Sequence, residues 1–236
     1  MDGEELWPGG PRFYQSAHFR LSTDSVLLAD FAGKPGALRG VDLGCGSGIL
    51  SLLLLDKAPR LRMTGLELQE AALGVARENM RANGLDVRFE AVCGDWRRVR
   101  DCFRPGAFDL AVCNPPYFAA ASGAISPDPA RAAARAETDG TLGELAAAAA
   151  WLLHTGASLF LCYRPERLSE LFVCLSARGL EPKRLRLVHH RADSACALAL
   201  VEARRGGKSG LRVESPLVLF DGDGAESADY RRIYRR

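Results

Sequence analysis

The central part of the chain alternates short β-rich runs with helical stretches, and this alternation restricts the fold more than any other feature. The predicted strands are Gly40–Leu43, Leu61–Leu66, Val87–Val92, Phe108–Cys113 and Ser158–Cys162. Apolar positions at helical spacing lie between them, as in 49–55, 68–80 and 142–153. Strands alternating with helices of about 10–15 residues indicate a parallel sheet with helices on both faces. The chain is therefore predicted to be an α/β protein.

Both ends of the chain depart from this alternation. After Glu181 the strand-like runs are Arg184–His189, Ala195–Val201 and Leu211–Phe220, with turn glycines between or after them. This pattern predicts antiparallel strands at the sheet edge. Near the N-terminus, the residues from Asp24 to Phe31 predict a short helix, for which Thr23 is the expected N-cap.

Composition limits the class of protein. The 236 residues are 47% hydrophobic and 25% charged, which is enough apolar material for one full core. A net charge of +2 excludes a dedicated nucleic-acid coat protein. Seven cysteines without a C-x-x-C pair favour the reducing cytoplasm. No signal peptide or membrane-spanning run is recognisable, so we expect a cytoplasmic enzyme or binding protein without a membrane partner.

The run VDLGCGSG at 41–48 places three glycines in a turn between a strand and a helix. Glycines allow a sharp turn and let a ligand approach the main chain, while the following helix offers free N–H groups. Glu67 ends the second strand, where a carboxylate can accept hydrogen bonds from both hydroxyls of a ribose. A ligand-free turn and a solvated carboxylate at a helix start are the alternatives for these two features.

Two acceptor groups follow the third and fourth strands. Asp95, after the third, can accept from the amine of an adenine while Trp96 packs on the ring, although a plain N-cap is the alternative role. NPPYF at 114–118 opens a long connection, 114–137, at the carboxyl end of a parallel strand, where ligands bind in open α/β sheets. The two prolines fix the backbone and remove donors, leaving acceptors suited to a planar amine.

VDLGCGSG, Glu67, Asp95 and NPPY in this order resemble the class I S-adenosylmethionine-dependent methyltransferases of the N-P-P-Y type, which methylate nitrogens conjugated to a π system. Three softer motifs are similar to those of the bacterial valine-tRNA methyltransferases that modify adenine N6 beside the anticodon. They are FRLSTDSVLLADFA at 19–32, ARAE at 134–137 and Y-x-x-I-Y at 230–234. The resemblance implies a Rossmann-like domain at 33–236, with a mostly parallel seven-stranded sheet and antiparallel C-terminal strands. Residues 1–32 would close over the cofactor.

The resemblance also implies roles for individual residues, with S-adenosylmethionine as cofactor, S-adenosylhomocysteine as product and no metal. The implied cofactor-binding residues are Thr23, Asp24, Asp42, Gly44, Cys45, Gly46, Gly48, Glu67, Leu68, Asp95, Trp96 and Asn114. The implied catalytic residues are Asn114, Pro115, Pro116 and Tyr117. Tyr117, Phe118 and Arg135 are expected to contact the target.

The small net charge conceals an asymmetry along the chain. Residues 164–236 carry 15 Lys and Arg against 10 Asp and Glu, whereas residues 1–163 carry 16 against 19. A local basic patch is sufficient to bind a small RNA, so this third of the chain is predicted to dock tRNA, with Lys183, Arg184 and Arg186 among its contacts. A solvated charged face is the alternative. No obligatory protein partner is evident from the sequence.

Other functions compete with tRNA adenine methylation. A nicotinamide-dependent dehydrogenase also uses a glycine turn, but its G-x-G-x-x-G spacing differs from the G-x-G-x-G present here. A non-catalytic RNA-binding module would not need the acceptors of NPPY. Among methyltransferases, ribosomal RNA guanine N2 and the glutamine of release factors remain possible targets. The pair His189-His190 has no partner at metal-ligand spacing.

Overall fold

The strands of the chain form one large mixed sheet and one small hairpin. The computed structural model describes residues 3–14, 22–33, 36–115 and 142–235. The strands within these ranges are β1 (Glu4–Glu5), β2 (Arg12–Phe13), β3 (Arg39–Leu43), β4 (Arg62–Glu67), β5 (Phe89–Cys93), β6 (Phe108–Cys113), β7 (Leu153–Tyr163), β8 (Leu180–His189), β9 (Cys196–Arg205), β10 (Arg212–Val213) and β11 (Leu217–Val218). Strands β1 and β2 pair only with each other.

The order of strands in the large sheet is β10-β8-β9-β7-β6-β3-β4-β5, with β11 also paired to β8. Strands β3 to β7 run parallel, and β9 lies antiparallel between β7 and β8. In the described residues, β3 to β9 are therefore the seven long strands of the predicted mostly parallel sheet. After β5 the chain crosses back to place β6 beside β3, so the strand order reverses between these two strands. Ligands bind in the crevice at such a switch point.

Helices cover both faces of the sheet, as predicted. They are α1 (Thr23–Ala32), α2 (Ile49–Lys57), α3 (Glu70–Ala82), α4 (Val99–Cys102), α5 (Leu142–Leu152), α6 (Leu168–Ala177) and α7 (Ala228–Ile233). One hydrophobic cluster joins α1, α2 and α7 to one face, and a second joins α4, α5 and α6 to the other. No helix in the described ranges is long and apolar enough to cross a bilayer.

Three local predictions were wrong. Thr23 lies inside α1, and the N-cap is Ser22, whose side chain makes no capping bond. The run Leu211–Phe220 forms two-residue strands parallel to β8 rather than one antiparallel strand, because Ser215 and Pro216 separate β10 from β11. The antiparallel strand β9 lies inside the sheet, not at its edge.

The helix α1 belongs to the core. Val26, Leu27 and Leu28 are at most 3% exposed, and Phe31 packs edge-on against Phe160 of β7 with ring centroids 6.1 Å apart. The part of the predicted 1–32 segment that forms α1 is thus packed on the sheet. Its closure over a cofactor stays a prediction.

Candidate active site

The glycine loop after β3 has the geometry expected from VDLGCGSG. Gly44 and Gly48 have φ of +71° and +80°, a region that favours glycine. The Gly44 N–H donates to the Leu66 carbonyl at 2.8 Å, which ties the loop to the end of β4. A Cβ on Gly44 would lie 2.9 Å from the indole of Trp96, so close packing also excludes a side chain there. The loop leads directly into α2, whose N-cap is Gly48.

Glu67 is joined to the same loop. Its Oε2 accepts from the Gly46 N–H at 3.0 Å, and its Oε1 accepts from the Gln69 N–H at 3.0 Å. An ionised carboxylate has about four acceptor sites, so each oxygen retains capacity for a ligand hydroxyl. A Cβ built on Gly46 would meet no atom of the described residues within 4 Å, so these residues leave space open beside this part of the loop. Next to Glu67, Leu68 is 38% exposed and offers an apolar contact.

Asp42, at the end of β3, is a buried acid. It is 1% exposed, and its Oδ2 accepts from both the N–H and the hydroxyl of Ser51, at 3.2 Å and 2.9 Å. Burial raises the pKa of Asp42 to about 7, although the hydrogen bonds from Ser51 act in the opposite direction. The proximity of Glu67 raises it further. The carboxyl group therefore titrates near neutral pH.

Asp95 and Trp96 follow β5 as one short helix begins. The Asp95 side chain accepts from the Arg97 N–H at 2.8 Å and pairs with the Arg97 guanidinium at 2.6 Å. Partial burial raises the pKa of Asp95, but these contacts outweigh burial and lower it below its usual value. The N-cap alternative is therefore realised, and it leaves acceptor sites on the carboxylate. Trp96 is 8% exposed and lies in the core cluster below the glycine loop, so its contact with an adenine stays a prediction.

Asn114 follows β6 on the other side of the switch point. Its Nδ2 donates to the Ser25 hydroxyl of α1 at 2.9 Å, and its Oδ1 accepts from the Cys162 thiol of β7 at 3.0 Å. The neighbouring Cys113 thiol donates to the Leu43 carbonyl at 3.1 Å, on β3. Pro115 is buried. The site thus draws on the ends of β3, β4, β5 and β6 and on the first turn of α1.

The first turn of α1 and the ends of β3 and β4 carry acidic side chains. Thr23 and Asp24 lie in the first turn of α1, and the charge of Asp24 helps to raise the pKa of the buried Cys162 thiol, after burial itself. Asp42 and Glu67 act in the same way on Cys45 in the glycine loop. Three acidic side chains therefore lie around one crevice, and one of them, Asp42, is protonated below about pH 7. Such a field favours a ligand with positive charge.

The predicted target-binding residues are less closely grouped. Pro116, Tyr117, Phe118 and Arg135 lie outside the described residues. Lys183, Arg184 and Arg186 lie on β8, where Leu185 is level with Cys113 but three strand spacings, about 14 Å, away across the sheet.

Two of these basic side chains have acidic partners within the chain. Arg184 contacts Glu202 at 3.0 Å and Glu214 at 2.8 Å, and Arg186 contacts Asp229 at 2.9 Å. Their contact with RNA stays a prediction.

Two residues of the site were missed by sequence reasoning. Ser25 and Cys162 both contact Asn114. Ser25 lies inside the motif at 19–32 but was given no role there, and Cys162 belongs to none of the motifs. The only available signal was position, since Ser25 follows Thr23 and Asp24, and Cys162 lies near the end of a predicted strand. The described residues contain no cluster of three or more His, Cys, Asp or Glu side chains that could hold a metal ion.

Comparisons with known proteins agree with this geometry. The profile of the methyltransferase small domain family matches residues 17–165, more than half of the chain. The tRNA1(Val) (adenine(37)-N6)-methyltransferase of Aeromonas hydrophila is 33% identical over 227 residues, covering 91% of this chain and 88% of that protein. The chain therefore belongs to the methyltransferase small domain family and, within it, to the group that contains this relative.

Solved structures support the fold. An Agrobacterium tumefaciens protein described as a predicted O-methyltransferase superimposes with a TM-score of 0.71 at 22% identity, covering 90% of this chain and 96% of that one. The geranyl diphosphate C-methyltransferase of Streptomyces coelicolor, solved with S-adenosyl-L-homocysteine, gives a TM-score of 0.55 at 14% identity. That match covers 77% of this chain and 79% of the other. The class I methyltransferase fold predicted from the motifs is confirmed.

Proposed function

We propose that the protein transfers a methyl group from S-adenosylmethionine to the exocyclic N6 amine of an adenine in tRNA. The observation that carries the proposal is the placement of Asn114 and the glycine loop on opposite sides of the switch point between β3 and β6. Family membership supports methyl transfer, and the name of the Aeromonas relative supports adenine 37 of tRNA1(Val) as the target.

The residues around the crevice fit S-adenosylmethionine. Open space beside Gly46 lets a ligand reach the loop backbone, and the spare acceptor sites of Glu67 suit two ribose hydroxyls. The acidic side chains of Asp24 and Glu67 favour a cation such as a sulfonium. When bound, the cofactor supplies an electrophilic methyl group. Leu68 and Asp95 would contact its adenine ring and amine.

Asn114 would hold the target amine. Its Oδ1 has one lone pair engaged by the Cys162 thiol and retains another for an N–H of the substrate. With the Pro115 carbonyl as a second acceptor, the amine would be drawn out of conjugation, because two acceptors outside the ring plane favour a tetrahedral nitrogen. The lone pair of that nitrogen is then available for in-line attack. Catalysis of this kind rests on positioning and aligned dipoles and needs no covalent enzyme intermediate.

An RNA substrate and a cytoplasmic location are parts of the same proposal. A target base must leave its stack to reach a crevice of this kind, which costs less in a single-stranded loop than in a duplex. Tyr117 and Phe118 would stack on that base, and Arg135 would contact the RNA. Folded tRNA meets these requirements.

Replacement of Asn114 tests the proposal. We expect Asn114→Ala to abolish methyl transfer to unmodified tRNA, because the acceptor for the amine is lost. Nucleoside mass spectrometry of the tRNA measures the transfer. Binding of S-adenosylhomocysteine, measured by calorimetry, should persist, and NAD should not bind. Asn83→Ala is the matched control, since that amide bonds to Arg12 and Asn79 and not to the site. Near-normal turnover by Asn114→Ala, or methylation of ribosomal RNA or release factor in place of tRNA, would contradict the proposal.

A further inference from the structure

The carboxamide of Asn114 is held from both ends by buried side chains. Ser25 Oγ accepts from Nδ2 at 2.9 Å, and the Cys162 thiol donates to Oδ1 at 3.0 Å. Ser25 is 3% exposed and Cys162 is fully buried. The two partners come from different elements, α1 and β7, that pack against each other on one face of the sheet.

These contacts determine which atoms of the amide remain available. A carboxamide has two N–H donors and two acceptor lone pairs on oxygen. Among the described residues one of each is used, which leaves one lone pair of Oδ1 and one N–H. The terminal torsion of asparagine is otherwise broad and nearly twofold, which means that an unsupported amide rotates or flips easily. Contacts at both ends remove this freedom.

The thiol is suited to the role of donor. Burial raises the pKa of Cys162 well above its usual value, and the nearby charge of Asp24 raises it further. Cys162 therefore stays protonated at neutral pH, and its S–H is directed at Oδ1. A donor at this point forces the oxygen, rather than the nitrogen, of the amide to face β7. The orientation of Asn114 is thereby chosen by chemistry as well as by shape.

The partner on α1 is itself firmly placed. Arg232 of α7 makes two hydrogen bonds to Asp30, at 3.1 Å and 3.0 Å, and Lys57 of α2 donates to the Ala29 carbonyl at 3.1 Å. The guanidinium of Arg184 lies 4.4 Å from the ring centre of Phe31. Ser25 is thus presented by a helix with several anchors, and a rigid support of this kind is what a precise site requires.

We propose that Ser25 and Cys162 are positioning residues that orient the Asn114 carboxamide for the target amine. The inference rests on the proposed function of Asn114. It predicts that both residues act on the rate of the chemical step and not on the binding of cofactor or RNA. A side chain that only filled the core would affect folding instead.

Alanine and serine variants of Cys162 distinguish a positioning role from a purely structural one. We expect Cys162→Ala to lower kcat roughly tenfold, equivalent to about 1.4 kcal/mol, with KM for tRNA and the Kd of S-adenosylhomocysteine within about twofold of wild type. Cys162→Ser retains a donor and should recover most of kcat. Ser25→Ala, a small change on a helix, should lower kcat to a similar extent. Melting temperatures show whether each variant is folded.

Cys113→Ala is the matched control, because it deletes a second fully buried thiol whose acceptor is the Leu43 carbonyl rather than Asn114. Its kcat should stay near the wild-type value. The inference is overturned if Cys162→Ala and Cys113→Ala lose equal activity, if Cys162→Ser fails to recover kcat, or if Ser25→Ala keeps full kcat while Asn114→Ala is inactive. Activity in Asn114→Ala would instead overturn the proposed function.

Discussion

At the scale of single residues, the protein contains acids whose pKa values are shifted in opposite directions. Asp42 is fully enclosed, so burial raises its pKa to about 7. Asp109 accepts from the N–H groups of Leu38 and Arg39 at 2.9 Å and 2.8 Å, and these bonds outweigh partial burial and lower its pKa. The two aspartates lie at opposite ends of neighbouring strands. Because their pKa values are shifted in opposite directions, their contributions to the free energy of unfolding should change with pH in opposite directions.

Replacing Asp42 should reduce the loss of folding stability that occurs as the pH rises toward 7. Between about pH 4 and pH 7 the unfolded state releases the Asp42 proton while the folded state retains it, so the wild-type free energy of unfolding falls as pH rises. Asp42→Asn removes this loss and keeps an oxygen for Ser51. We expect its stability relative to wild type, measured by urea denaturation at pH 5 and pH 8, to increase with pH.

Asp109→Asn is the control of opposite sign. The lowered pKa of Asp109 contributes stability above the pKa of the unfolded state, and this contribution disappears as pH falls. The cost of Asp109→Asn should therefore be greatest at neutral pH and vanish in acid. Parallel pH profiles for the two variants would contradict these assignments.

At the scale of elements, Arg184 joins β8 to its neighbours and to α1. It pairs with Glu202 of β9 and with Glu214, just after β10, and it covers the ring of Phe31. Glu202 is 6% exposed, and its carboxylate lies 3.0 Å from the guanidinium of Arg184 and 3.7 Å from that of Arg204. The basic character of β8 that suggested RNA binding is thus partly used within the fold.

Removing Arg184 should destabilise the protein. In Arg184→Ala the buried carboxylate of Glu202 loses its closest cation, and we expect the free energy of unfolding to fall by about 1–3 kcal/mol in urea denaturation. Lys183→Ala, on the same strand, is the control, because its ammonium donates to a backbone carbonyl, that of Lys208, rather than to a buried carboxylate. Its effect should be within about 0.5 kcal/mol. Weaker tRNA binding by Arg184→Ala without a loss of stability would favour an RNA contact instead.

At the scale of the whole molecule, the sheet separates the basic residues of the C-terminal third. The site lies at the carboxyl edge of β3 to β6. In the sheet register Arg204 lies opposite Ser158 of β7, which is level with Leu110 near the start of β6. Arg204 and the exposed Lys208 therefore lie toward the amino-terminal edge of these strands, away from the site. Arg204 also approaches Glu202 at 3.7 Å, while Arg232 and Arg235 pair with Asp30 and Asp56 at 3.0 Å and 3.3 Å. Arg204 and Lys208 are therefore two exposed basic residues that lie away from the crevice.

A double variant tests whether this charge attracts tRNA. We expect replacement of Arg204 and Lys208 by alanine to weaken tRNA binding and to reduce the slope of log K against log salt by roughly one to two. The kcat at saturating tRNA should not change. Replacement of Arg60 and Arg104, exposed arginines outside this third, is the matched control. Equal losses in the two double variants would refute a specific role for the C-terminal third.

The fold was predictable because its signals are local. Strands β3 to β6 and helices α2 and α5 are found within a few residues of their predicted bounds, since periods of 2 and 3.6 are written in neighbouring residues. Helix α6 was not predicted, although its buried Leu171 and Leu175 keep helical spacing. The pairing of β10 and β11 with β8 depends on partners about 28 residues away, which no local pattern specifies.

The sequence by itself determined the order of the elements, the glycine turn and the positions of Glu67, Asp95 and Asn114 at strand ends. These features depend on backbone conformation and periodicity, which short stretches encode. The tertiary structure alone decided which side chains support the site. Asn114 meets Ser25 and Cys162, 89 and 48 residues away along the chain, and Arg184 meets Phe31, 153 residues away. Such contacts exist only once the sheet and its helices have packed, because their geometry is a property of the assembled core.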